Sequence, residues 1–156
     1  MTMSWEIDQP PGGIPVVRIS GQITEEADFQ TLTAIAQAGT LRLDLAGVEQ
    51  INSCGVREWI HFVTELTREG RPFELAQCSP AIVRQLNMIS NFRGRGQVRS
   101  VMLPYYCAEC GHEDRRMMEL TAGGALPPIE DTIPCTECGG LAEFDDLPNS
   151  YLAFAA

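Results

Sequence analysis

The sequence contains no lysine; all 11 basic residues are arginine, and 21 acidic residues leave a formal net charge of −10 over 156 positions. It also has no long apolar run, purely hydrophobic stretches lasting only a few residues. A bilayer-spanning helix needs about 20 of them, so no membrane insertion is expected. The opening Met1-Thr2-Met3-Ser4-Trp5-Glu6 has neither a basic start nor an apolar stretch, which argues against a secretory signal and predicts a cytoplasmic chain. Catalytic patterns are equally scarce. There is no glycine-rich phosphate loop, paired-carboxylate motif or Ser/His/Asp pattern. Cys54 has His61 as its nearest base in sequence, but on one helix their separation is about 10.5 Å of rise, too far for direct proton transfer. Cys54 and Cys78 read better as small buried residues. No enzymatic activity is expected.

What is present suits a folded, soluble chain. Hydrophobic residues make up 44% and charged residues 21%, with 14 Gly and 10 Pro, a composition unlike disordered or collagenous sequences. The length fits one domain, or one small domain with a smaller companion. Charge divides unevenly along it. Residues 1–103 hold 11 acidic and 9 basic side chains, a net of −2; residues 104–156 hold 10 and 2, a net of −8. The second region also holds four of the six cysteines. Acidic surface repels phosphate backbones, so no nucleic-acid binding is expected there.

The first hundred residues alternate strand-like and helix-like patterns. Trp5–Ile7 and Ile14–Ile19 read as a hairpin at a sheet edge, joined by the turn Gln9-Pro10-Pro11-Gly12-Gly13. Thr24 is the expected N-cap of a first helix, with Glu25, Glu26 and Asp28 in its first turn and Phe29, Leu32, Ile35 and Ala36 on its inner face. Gly39 is its expected terminator. Leu41–Leu45 alternates cleanly as a strand. A second helix is expected from Asn52 or Ser53, burying Val56, Trp59, Ile60, Val63 and Leu66. Phe73–Ala76 reads as a strand, and Ser79-Pro80 as cap and first residue of a third helix facing inward through Ile82, Leu86 and Ile89. This alternation predicts an α/β domain over residues 1–96, with helices covering one or both faces of a sheet. Asn91-Phe92-Arg93-Gly94-Arg95-Gly96 is a breaker-rich joint, and Val98–Tyr106 is apolar enough for a strand.

Residues 97–156 form the expected second, β-rich domain. Cys107-Ala108-Glu109-Cys110-Gly111 and Cys135-Thr136-Glu137-Cys138-Gly139 are two matching knuckles with 24 residues between Cys110 and Cys135. Four thiolates from two tight turns suit tetrahedral Zn²⁺, and the glycine after each second cysteine lets backbone N–H groups approach sulfur. Cys107, Cys110, Cys135 and Cys138 are therefore the predicted ligands of a structural zinc ion. The segment resembles a zinc ribbon. Rubredoxin-like proteins carry similar knuckles, so iron is the minority alternative, and disulfides suit the expected compartment poorly. With four cysteines filling the shell, His112 is expected to be a solvated neighbour.

The run Leu41-Arg42-Leu43-Asp44-Leu45-Ala46-Gly47-Val48-Glu49-Gln50-Ile51-Asn52-Ser53-Cys54-Gly55-Val56 resembles the signature of STAS domains, the bacterial anti-sigma-factor-antagonist domains. Ser79-Pro80-Ala81-Ile82-Val83-Arg84-Gln85-Leu86 resembles the helix after that family's fourth strand, and the likeness extends over residues 4 to 92. The resemblance implies a mixed sheet with helices and a role in partner switching. In such members the serine after the signature aspartate is phosphorylated by a dedicated kinase, and here that position is Ser53. Two departures stand out: Asn52 where the family usually has Asp, and Cys54 where it usually has Ser or Thr. Asn52, Ser53, Cys54 and Gly55 are thus the expected control and partner-contact site, while the residues by themselves also allow Asn52 and Ser53 to be helix caps only.

The implied partners are proteins: an anti-sigma factor or serine kinase, or, alternatively, the ATPase of a lipid-transport ABC system to which small STAS proteins dock without phosphorylation. The zinc ribbon would add a second interaction surface or a homodimer contact. Arg84, Arg93, Arg95 and Arg99 concentrate positive charge near the third helix and the joint. They read as a solvated face, or as a dock for the acidic second region that salt would weaken.

Overall fold

A computed structural model describes residues 2–35 and 39–156. The first sheet has the order β1 (Ser4–Asp8), β2 (Val16–Ile23), β3 (Leu41–Ile51), β4 (Phe73–Ala76) and β5 (Gln97–Val98). β1 runs antiparallel to β2 at the edge and the remaining pairs are parallel, so the sheet is mixed, as the family resemblance implies. Period-two patterning decides its faces. Val17, Ile19, Leu41, Leu43, Leu45 and Leu75 are buried on the side that carries the helices. Arg18, Arg42, Asp44 and Glu74 alternate onto the other side and pair there, Arg42 and Arg99 both reaching Glu74, at 3.3 and 3.2 Å.

The helices are α1 (Phe29–Ile35), α2 (Ser53–Arg68) and α3 (Pro80–Met88). α2 buries Trp59, Val63 and Leu66 as the spacing predicts, leaves the expected Val56 and Ile60 half-buried at the margin of the core, and buries Phe62, which the pattern did not select. Trp59 stacks on Phe92 and donates its indole N–H to the Phe92 carbonyl at 2.7 Å, locking the breaker-rich joint onto the helix. α3 begins as expected: Ser79 accepts from the Ile82 N–H, and Pro80 occupies the first turn.

Three local expectations are corrected. α1 starts at Phe29 rather than after Thr24, because Asp28 caps it by accepting from the Thr31 N–H at 3.1 Å and the Thr31 hydroxyl at 2.6 Å. Thr24 closes only a turn, its carbonyl accepting from Ala27. Ala36 lies outside the described residues. β3 does not end at Leu45 but runs through Gly47 and Val48 to Ile51, and register shifts against β2 absorb the extra length. Gly47 is needed there, since a Cβ would stand 2.7 Å from that of Ser20. Finally, Gln97 and Val98, expected beyond the 96/97 division, pair with β4 in the first sheet.

At Arg99 the chain changes sheets, which breaks the strand expected over Val98–Tyr106. β6 (Ser100–Cys107), β7 (Glu113–Glu119), β8 (Thr132–Pro134) and β9 (Leu141–Phe144) form a second, all-antiparallel sheet in the order β7-β6-β9-β8. Its junction with the first unit is intimate. Cys78 bonds through its N–H and carbonyl to Ser100 and Met102, and Tyr151 and Leu152 are buried in the same continuous core as the helices.

Candidate interaction and metal sites

The serine-bearing turn is the tip of α2. Asn52 stands as N-cap in extended backbone (φ −93°, ψ 177°), and its Oδ1 accepts from the Gly55 N–H at 2.7 Å. Ser53 is the first helical residue and is exposed. Among the described residues its hydroxyl has no hydrogen-bond partner, so the capping work falls to Asn52 alone. Gly55 is buried against β2, where a Cβ would collide with the Ile23 carbonyl. The signature glycine is therefore a packing requirement that brings the helix tip down onto the sheet. Cys54 is half-buried beside it.

Glu25 was placed at this tip by no sequence pattern. Its carboxylate accepts from the Asn52 Nδ2 at 3.3 Å. Its pKa is held below the ordinary value, first by a backbone N–H and then by this amide. On the other side, a cleft of about 230 Å³ separates Glu49–Asn52 from Ala81, Arg84 and Gln85 of α3. Arg84, which lines this cleft together with Asn52, has no carboxylate partner among the described residues.

The four knuckle cysteines converge. Cys107–Cys110 closes the β6–β7 turn and Cys135–Cys138 the β8–β9 turn, with matching hydrogen bonds from Gly111 N–H to Cys107 and from Gly139 N–H to Cys135. Gly111 and Gly139 adopt φ of +77° and +74°, the left-handed conformation that favours glycine. Cys107 and Cys138 sulfurs stand 3.6 Å apart, as do those of Cys110 and Cys135. All four lie within 4.8 Å of one another. That is far beyond a disulfide's bond length of about 2.05 Å. It fits the ~3.8 Å edge of a thiolate tetrahedron whose metal–sulfur distance is about 2.3 Å.

Electrostatics favour a cation there. Cys135 is lowered to about 7, chiefly because the Cys138 and Glu137 backbone N–H groups donate to its sulfur. At Cys110 the His112 N–H favours the thiolate, but burial and the neighbouring sulfurs push its pKa up to about 12. One thiolate forms readily, and its negative charge resists the next. A divalent ion removes that repulsion. His112 stays outside the cluster and contributes its backbone carbonyl to Cys107.

Of the remaining expectations, Cys78 is fully buried, and burial pushes its thiol pKa up. The arginines do not tether the acidic region: Arg99 pairs with Glu74, and among the described residues every ion pair lies within residues 1–103. The junction is held instead by hydrogen bonds to backbone, Asn87 binding the Tyr151 carbonyl at 3.0 Å and the Phe154 N–H at 2.8 Å, and Arg115 donating to the Ala46 carbonyl at 3.2 Å. No helix among the described residues is long and apolar enough to cross a membrane. In comparisons with known proteins, a family model described as STAS domain matches residues 5–94. No curated protein matches the chain.

Proposed function

The chain belongs to the STAS domain family, and from that premise we propose that it is a non-enzymatic regulatory module that binds a protein partner at the tip of α2 and releases it when Ser53 is phosphorylated. The observation that carries this reading is the division of labour at the tip: Asn52 makes the cap, leaving Ser53 exposed with its hydroxyl unbonded among the described residues. Phosphorylation adds nearly −2 of charge. The positive end of the helix tolerates it, so the fold survives. A partner packed over the tip meets repulsion and a desolvation penalty. Kinase and anti-sigma factor are the partner classes this reading implies.

Asn52 favours a second reading, in which the tip docks an ABC ATPase without phosphorylation, since the usual aspartate of a kinase-read site is missing. Pulldowns from the native host with wild type, Ser53→Ala and Ser53→Asp separate the two. A partner lost only with Asp supports the switch; the same partner with all three supports plain docking. Intact mass after incubation with a co-encoded kinase tests the modification directly.

In the second unit, Cys107, Cys110, Cys135 and Cys138 would hold a structural zinc ion as a zinc ribbon. Four protein thiolates leave no open position, so the ion serves to fold the hairpins and present their surface. A reducing cytoplasm suits this role by keeping the thiols free. Iron in the same site would colour the protein red, whereas a colourless protein with one zinc per chain is expected.

A further inference from the structure

We propose that the outer face of the second sheet docks a basic protein segment, gripping an arginine or lysine side chain on the Tyr106 ring between Glu113 and Glu143. Strand register carries the argument. Tyr106 on β6 lies directly opposite Glu113 on β7 and Glu143 on β9, and Glu143 lies opposite Thr132 on β8. Opposed residues share a face, so these four side chains form one row across the whole sheet. The alternate β6 residues Val101, Leu103, Tyr105 and Cys107 are buried, which turns the row outward. Tyr106 is 41% exposed, and Glu113, Glu143 and Thr132 are all exposed.

Strand spacing sets the backbone of one glutamate about 5 Å to each side of Tyr106. Among the described residues neither glutamate has an ion-pair partner. Leu141 shares the face two residues before Glu143 and is 63% exposed. An aromatic face attracts an ammonium or guanidinium, and flanking carboxylates give it charge-assisted hydrogen bonds. Leu141 receives an adjoining apolar side chain. A bare metal ion does not fit, because the strands bearing the two glutamates stand two strand spacings, about 10 Å, apart. The wider surface pulls the same way, residues 104–156 carrying a net −8. This gives a chemistry to the second contact surface of the reading above and needs no phosphate at Ser53.

The test uses the metal-loaded full chain and a labelled peptide of alternating arginine and leucine, with citrulline replacing arginine in a control peptide. Fluorescence anisotropy should detect the arginine peptide and not the citrulline one. Glu113→Gln/Glu143→Gln and Tyr106→Leu should each weaken binding about tenfold, a change of about 1.4 kcal/mol. Tyr106→Phe, which keeps the ring, and Glu119→Gln, outside the row, should leave it unchanged. Absent binding, or equal weakening by Glu119→Gln, would overturn the proposal, the latter by reducing it to diffuse attraction. So would a dimer in sedimentation that Glu113→Gln/Glu143→Gln dissociates, which would assign the row to a second copy. Metal content measured on each variant separates a lost row from a lost fold. The Ser53 pulldowns report independently on the α2 tip.

Discussion

The Asn52 amide bonds in two directions, its Oδ1 accepting from the Gly55 N–H at 2.7 Å and its Nδ2 donating to Glu25 Oε2 at 3.3 Å. One side chain thus caps α2 and ties the connection between β2 and α1 to the helix tip. An aspartate at position 52 would keep the first bond and lose the second, because a carboxylate has no N–H to give. The departure from the family pattern is therefore matched in space by an acidic neighbour 27 residues away in sequence.

Substitution separates the two bonds. Asn52→Ala removes the cap and should cost about 1 kcal/mol in urea unfolding of the metal-loaded chain. Asn52→Asp should cost less, since the cap survives and an exposed carboxylate pair repels only weakly. Adding Glu25→Gln to Asn52→Asp should restore the lost stability, as the new amide donates back. Equal damage from Asn52→Ala and Asn52→Asp would show that the cap contributes nothing.

Glu25 gives this link a pH dependence. Its pKa is lowered in the folded protein, so its contribution is present above the ordinary glutamate range and is lost as pH falls through the lowered value. A carboxyl NMR titration should find its midpoint below that of an ordinary glutamate, and Asn52→Ala should raise it. An unchanged midpoint in that variant would remove the amide from the account.

Ser53 and Gly55 should behave oppositely despite standing two positions apart. Ser53→Ala removes no internal hydrogen bond and should leave stability within about 0.5 kcal/mol of wild type. Gly55→Ala drives a methyl into the Ile23 carbonyl and should cost about 2–3 kcal/mol. Chemical unfolding of both variants decides this, and a harmless Gly55→Ala would mean that the tip is not seated on β2.

This contrast marks what was legible in sequence. Short-range signals were: Ser79-Pro80 opening α3, the α2 stripe of Trp59, Val63 and Leu66, and the paired CxxCG knuckles whose spacing implied convergence. Each is a local pattern with one physical cause. The choice of Asp28 over Thr24 as cap was harder, because both are good capping residues followed by suitable turns. Glu25 at the α2 tip, Asn87 at the junction and the Glu113–Tyr106–Glu143 row depend on tertiary contact or strand register. No periodicity within one segment reports those.

Metal loading should follow thiolate chemistry. The protein should bind one zinc per chain, and Co²⁺ in its place should give the intense visible bands of tetrahedral thiolate coordination. Protons compete for the same sulfurs, so affinity should fall throughout as pH drops, and more steeply through about 7, where Cys135 is protonated as well. Cys110→Ser or Cys138→Ser should lower the bound metal toward zero. Chelation should expose the β6–β9 amides to hydrogen exchange, since that sheet has its turns closed by the site. Full protection without metal would make the ion dispensable for folding.

Asn87 makes the last distinction, between a junction held by ion pairs and one held by hydrogen bonds to backbone and apolar contact. Its amide clamps both the Tyr151 carbonyl and the Phe154 N–H, and Tyr151 and Leu152 sink into the shared core beside it. Neither apolar burial nor neutral hydrogen bonding is screened by ions. Small-angle scattering profiles should therefore superimpose between low salt and about 0.5 M NaCl, where the Debye length is shorter than an arginine side chain. Asn87→Ala should accelerate hydrogen exchange at residues 151–155 while leaving metal content unchanged, because the clamp and the cysteine site are separate. A profile that expands with salt would return the junction to the arginines; metal loss in Asn87→Ala would show that the clamp supports the knuckles as well.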